Sequence, residues 1–154
     1  MERFVYPATL TPDTKDSGFV VTFADVPEAI TQGEDRADAL REAADCLEEA
    51  IANRMVMGLP LPPPSSMKKR QYAVPLPAQT AAKAALYIAL QEAKISKAEL
   101  AKRLRCDEKE VRRLLDPRHS SKLPRIESAL AAVGRRLVVG LQSAAYSRLT
   151  VPFP

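Results

Sequence analysis

The hydrophobic positions along the chain change period as it proceeds. Arg3–Leu10 (RFVYPATL) and Phe19–Phe23 (FVVTF) are short runs rich in β-formers, separated by the turn cluster TPDTKDSG. They predict two strands of a hairpin, and Pro7 places the first at a sheet edge because proline cannot donate to a ladder. A second turn, ADVPEA, leads to a brief third strand over Ile30–Gly33. From Asp35 the period lengthens to that of a helix. Leu40, Ala43, Ala44, Leu47, Ile51 and Met55 form one stripe, and Arg41, Glu42, Asp45, Glu48 and Glu49 fill the opposite side. Asp35 caps this helix, and Gly58 with Pro60 stops it. LPLPPPSS, residues 59–66, must run extended. The following KKRQYAVPLP predicts a last strand beginning near Tyr72, with Pro75 and Pro77 leaving it either at a sheet edge or as linker. Residues 1–77 therefore read as a domain in which one helix covers a small antiparallel sheet.

Beyond the boundary the periodic segments are mainly helical. Thr80–Ala93 is alanine-rich with Leu86 and Leu90 in register. Ile95–Leu115, ISKAELAKRLRCDEKEVRRLL, carries two successive cap signals, Ser96 with Glu99 and Asp107 with Glu110. Leu100, Ala101 and Leu104 line one short helix, and Val111, Leu114 and Leu115 line the next. Arg105-Cys106 makes the turn, and Lys109, Arg112 and Arg113 point outward. This is the arrangement of a helix-turn-helix, whose second helix enters a major groove. The plainer alternative is a helical hairpin with a solvated basic face. After the polar, basic loop of residues 116–124, a helix runs from Pro124 to about Val133 and ends at Gly134. Leu137–Leu141 (LVVGL) reads as a strand with no partner in a helical domain, so it is expected to pair with its symmetry mate. The fold class is α+β, with a mainly helical second domain over residues 78–154.

Charge sharpens this division. Residues 1–66 hold 5 Lys/Arg against 12 Asp/Glu, whereas residues 67–154 hold 18 against 7. An acidic half thus precedes a basic one. A basic half bearing two short helices suits a phosphate backbone, because cation contacts release counterions. The acidic half would repel DNA and attract a basic protein. The chain shows no apolar run of membrane-spanning length and no signal-peptide pattern, so a cytoplasmic location is expected. Cys46 and Cys106 have no metal-ligand spacing and read as two reduced thiols. The single histidine, His119, cannot alone make a metal site or a nucleophile–base pair.

Several short motifs resemble the HicB-type antitoxin domain. They are Tyr6, Gly18-Phe19, Phe23-Ala-Asp25-Val26-Pro27, Thr31-x-Gly33, the helix with Ala39, Ala43 and Leu47, and Gly58 with the Pro60-x-Pro62 exit. ELAKRL, EVRRLLDPRHSSKL and a closing helix ending in Gly134 resemble the Cro/repressor type of helix-turn-helix found in one branch of that family. The first resemblance implies a partial RNase H-like β-β-β-α-β domain that binds and blocks a small basic RNA-cleaving toxin of HicA type. The second implies a homodimer, or higher homo-oligomer, that binds operator DNA and represses its own operon. The repressor resemblance places Glu108, Lys109 and Arg112 at positions able to reach base edges. Arg113, Lys97, Arg118 and Lys122 are better placed for phosphate. Candidates for toxin contact are Phe23, Asp25, Val26 and Thr31, although alternating aromatics such as Phe19 and Phe23 also suit a core. The family's usual turn glycine is here Arg105, and the glycine often found after Pro27 is Glu28.

An enzyme is the third class. An RNase H-like sheet suggests a two-metal nuclease, for which Asp13, Asp16 and Asp25 are the available carboxylates. All three lie in turn-like segments, where aspartate serves the backbone. No catalytic residue, metal or cofactor is therefore assigned. The alternative function is a stand-alone helix-turn-helix regulator whose acidic domain binds another protein or a small molecule.

Overall fold

In a computed structural model the described residues are 4–142. Arg3, the expected start of the first strand, and the tail from Ser143 lie outside them. The elements run β1 (Val5–Pro12), β2 (Phe19–Phe23), β3 (Ile30–Gly33), α1 (Arg36–Val56), β4 (Gln71–Pro75), α2 (Ala78–Ala93), α3 (Lys97–Leu104), α4 (Glu108–Leu115) and α5 (Leu123–Ala132). The protein is α+β. Its described residues form two compact units, one comprising the residues up to Ala50 with Pro62–Leu76, the other Ile51–Leu61 with Pro77–Gly140.

In the first unit the strands form one antiparallel sheet of order β3-β2-β1-β4. Register sorts the side chains. Tyr6 opposes Val74, Ala8 opposes Phe23, and Phe19 and Val21 oppose Gly33 and Thr31. Directly opposed residues share a face, so these positions make the inner side, of which Tyr6, Ala8, Val21, Phe23 and Val74 are buried. The α1 stripe of Ala39, Leu40, Ala43 and Leu47 is buried with them. Thr9, Thr22, Ile30 and Gln32 occupy the other face.

Proline at Pro7 corrects the edge assignment made for the first strand. β1 lies between β2 and β4. The chain tolerates Pro7 there because the β1–β2 ladder begins only at Ala8↔Phe23, so Pro7 pairs with Ala73 of β4 alone. Proline thus sits where one side of the strand needs no donor. β4, with Pro75, is an edge strand rather than linker.

The ends of α1 follow from its residues. Asp35 Oδ1 accepts from the Asp38 N–H at 2.8 Å, while Asp38 Oδ2 accepts from the Glu34 N–H at 2.9 Å. One backbone donor of the first turn and one just before the helix are thereby satisfied. At the other end Gly58 turns left-handed at φ +70°, and the Leu59 and Gly58 amides donate to the Arg54 and Met55 carbonyls. That is the pattern of a Schellman stop. The Thr31-x-Gly33 motif has a steric reason. A Cβ at Gly33 would lie 2.3 Å from the Ala39 nitrogen, so β3 approaches α1 backbone to backbone.

In the second unit α2 to α5 enclose a core that includes Leu86, Leu90, Leu100, Val111, Leu114 and Ile126. Leu137–Leu141 is not a strand in the described residues. Val138, Val139 and Leu141 are exposed. A strand exists only where a neighbour supplies hydrogen bonds, and among the described residues this segment has none.

Gly33→Ala is expected to destabilise the first unit by about 1–3 kcal/mol, the usual cost of overpacking, as read from urea denaturation. An unchanged midpoint would mean that α1 can back away from β3 at no cost.

Candidate functional site

Helices α3 and α4 are eight residues each and carry the caps that the sequence predicts. Ser96 Oγ accepts from the Glu99 N–H at 3.1 Å, and Asp107 Oδ1 accepts from the Glu110 N–H at 2.8 Å. Leu100, Ala101, Val111 and Leu114 are buried, so both helices face the same core. Arg105 takes the left-handed conformation at the end of α3, φ 53° and ψ 45°. The Arg105 and Cys106 amides donate to the Lys102 and Ala101 carbonyls, closing the turn without glycine.

The outer surface of α4 is charged. Lys109, Arg112 and Arg113 are exposed. Arg112 pairs with Glu108 at 3.1 Å, and its side chain is 64% exposed. A surface pair at this helical spacing is worth only about 0.3–0.5 kcal/mol, so Arg112 can be redirected cheaply to a ligand. Lys97 and Lys122 are exposed at the starts of α3 and α5. Arg118 is engaged instead, its Nη2 donating to Asn53 Oδ1 at 2.9 Å. Glu110 pairs with Arg125 of α5 rather than closing a reciprocal box with Asp107.

Sequence reasoning missed the groups that fix α4 in place. Lys83 of α2 is wholly buried, and its Nζ donates at 2.8 Å to the Arg113 carbonyl, the Asp116 carbonyl and Ser121 Oγ. Every ammonium proton has an acceptor. Burial draws its pKa below the ordinary lysine range, and the Asp116 carboxylate opposes that shift. A signal was present in the sequence, since Lys83 stands three and seven residues before Leu86 and Leu90, on their stripe. Gln79 Oε1 adds a bond from the Ser121 N–H at 2.9 Å. Arg103 of α3 donates to the Ala132 carbonyl at the end of α5, 3.0 Å away.

In the first unit Phe23 (2% exposed) and Val26 (0%) belong to the core. Asp25 accepts from the Ser65 amide at 2.9 Å and from its hydroxyl at 3.1 Å, fastening the proline-rich segment. Thr31 is half-buried on the inner side of the sheet. The neighbouring Ile30, 60% exposed, stands on the uncovered face. Asp13 and Asp16 line an acidic cleft with Glu34, Asp38 and Glu42, whereas Asp25 does not. Among the described residues no group of three or more His, Cys, Asp or Glu side chains could hold a metal ion. Cys46 and Cys106 are free thiols, and burial pushes both pKa values up. No helix among the described residues is long and apolar enough to cross a membrane.

Comparison with known proteins matches residues 5–85 to the family described as the HicB_like antitoxin of bacterial toxin-antitoxin systems. Antitoxin HicB of Escherichia coli (strain K12) is 34% identical over 132 residues, 86% of this chain and 95% of that protein. Antitoxin HicB 1 of Photorhabdus laumondii is 34% identical over 137 residues, 89% of this chain and 86% of that protein. Antitoxin HicB of Pseudomonas fluorescens (strain Pf0-1) is 37% identical over 122 residues, 79% of this chain and 84% of that protein.

Arg105→Gly should raise stability by about 0.5–1 kcal/mol, since a left-handed non-glycine residue costs about 1–2 kcal/mol and glycine's extra chain entropy returns part of it. Thermal denaturation checks this. Lys83→Met should lower stability by about 1–3 kcal/mol in the same measurement, because three oxygens each lose one donor.

Proposed function

The chain belongs to the HicB-like antitoxin family, and from that premise we propose that it binds and blocks a small RNA-cleaving toxin and represses its own operon. The first unit performs the neutralisation and the second binds operator DNA. The family match carries the antitoxin assignment. The outward, basic face of α4 on a packed two-helix pair supports the DNA-binding one. Location is cytoplasmic, and the protein works by masking rather than by catalysis.

The toxin-facing surface in this reading is the uncovered side of the sheet near β3, where Ile30 is exposed beside Thr22 and Gln32. Phe23 and Val26 support that surface from within, and Asp25 and Thr31 border it. On the DNA side Glu108, Lys109 and Arg112 read base edges, while Arg113, Lys97 and Lys122 hold phosphates. Arg118 joins them only by leaving Asn53. The protein acts as a dimer, because paired recognition helices read two half-sites one helical turn apart. The exposed Leu137–Leu141 segment pairs with its counterpart in the second copy and gains there the ladder it lacks alone.

The purified full chain is expected to bind the small basic protein encoded beside it and to suppress its RNA cleavage. Ile30→Lys should weaken that binding about tenfold or more with an unchanged melting temperature, since surface substitutions outside special positions are near-neutral for stability. Arg112→Ala should cost about 1–3 kcal/mol of operator binding and relax specificity at one base pair while leaving neutralisation intact. A loss uniform across all sequences would reassign Arg112 to phosphate. Operator binding without toxin binding would leave a stand-alone regulator.

A further inference from the structure

The end of α4 lacks an ordinary cap. Asp116 at its C-terminus stays extended, φ −78° and ψ 110°, and its amide makes only a long 3.3 Å bond to the Arg113 carbonyl. What closes the end is the Lys83 ammonium. One leg reaches the helix at the Arg113 carbonyl, one the start of the next loop at the Asp116 carbonyl, and one its far end at Ser121 Oγ. The Asp116 carbonyl also accepts from the His119 N–H at 3.1 Å, and Asp116 Oδ1 accepts from the Arg118 N–H at 2.9 Å. A single buried charge, with Ser121 Oγ also donating to the Arg113 carbonyl at 3.4 Å, thus joins the last turn of α4 to both ends of a loop.

That choice of residue is informative. Burying an ammonium is costly unless it is fully hydrogen-bonded, and a glycine stop, as used after α1 and α5, would end a helix without it. A lysine does something a glycine cannot, which is to fix a following loop relative to the helix. The parts so joined are those that carry the outward cations: Arg112 and Arg113 on the helix and Lys122 on the loop, where Arg118 is held by Asn53. We propose that Lys83 is a positioning residue for DNA binding, holding the 116–122 loop and the C-terminal turn of α4 in one register so that their cations meet the phosphate backbone together. The proposal rests on the DNA-binding reading above. Lys83 touches no DNA itself.

The test is a double-mutant cycle on operator affinity in the full chain, with Lys83→Met and Lys122→Ala, measured well below the melting temperature of each variant. Lys83→Met alone should weaken operator binding about tenfold or more and reduce the slope of log affinity against log salt by about one contact. Lys122→Ala should weaken binding in the wild-type background and have little further effect beside Lys83→Met, because coupled residues are non-additive. Lys97→Ala, on α3, should remain additive with Lys83→Met. A role in stability alone would lower the melting temperature and leave the salt slope and the Lys122→Ala effect unchanged, which would overturn the proposal. Should Lys83→Met not fold, Ser121→Ala removes one leg together with the bond from Ser121 Oγ to the Arg113 carbonyl, and a folded variant with unaltered affinity and salt slope would overturn it equally. Failure of the wild-type chain to bind its operator defeats the DNA-binding reading first, and the proposal with it.

Discussion

A helix of eight residues cannot hold itself together in water, and the second unit is built around that constraint. Isolated helices shorter than about 12–15 residues are marginal, yet α3 and α4 have eight residues each and α5 has ten. Their persistence depends on what lies against them. Leu100, Val111, Leu114 and Ile126 anchor the inner faces in one core. The ends are tied by groups from other helices: Lys83 of α2 at the end of α4, Arg103 of α3 at the end of α5, and Arg125 of α5 on Glu110 near the start of α4. α4 is therefore anchored on its buried side and exposed on its charged side.

The first unit solves a different problem. Its sheet has one side packed with α1, and the packing is tight enough at one point to demand glycine. Gly33 lies against the backbone of Ala39, and Gly18 lies against the Gly33 carbonyl, where a Cβ would approach to 2.3 Å. Those contacts explain why Gly18, Gly33 and Ala39 stand among the residues that resemble the antitoxin family. They also set the hairpin and β3 at a fixed height over α1, leaving Ile30 and Gln32 on the other face. The acidic cleft at this end, lined by Asp13, Asp16, Glu34, Asp38 and Glu42, adds to the negative character of the unit.

Most of the fold and half of the candidate site were legible in the sequence. Local rules determine local structure, so the 3.6-residue stripe of α1, the caps at Ser96 and Asp107, the turn at Arg105 and the stops at Gly58 and Gly134 could all be read along the chain. The outward cations of α4 followed from the same periodicity. Family membership was legible too, because Gly18, Gly33 and Gly58 occupy backbone positions that other residues fill only with strain or collision.

What depended on partners distant in sequence was decided by the tertiary structure. Pro7 looked like an edge residue but sits inside the sheet, since only the staggered start of the β1–β2 ladder shows that it needs no donor there. Leu137–Leu141 has strand composition yet no strand, because a ladder is a property of two segments and not of one. Phe23 fits a surface or a core by pattern, and only the register and packing place it inside. Lys83 is the clearest case. Its stripe position was visible from Leu86 and Leu90, but its three acceptors lie 30 to 38 residues further along the chain. Sequence determined the elements and their exposed charge, whereas the fold alone decided which distant oxygens would satisfy a buried ammonium.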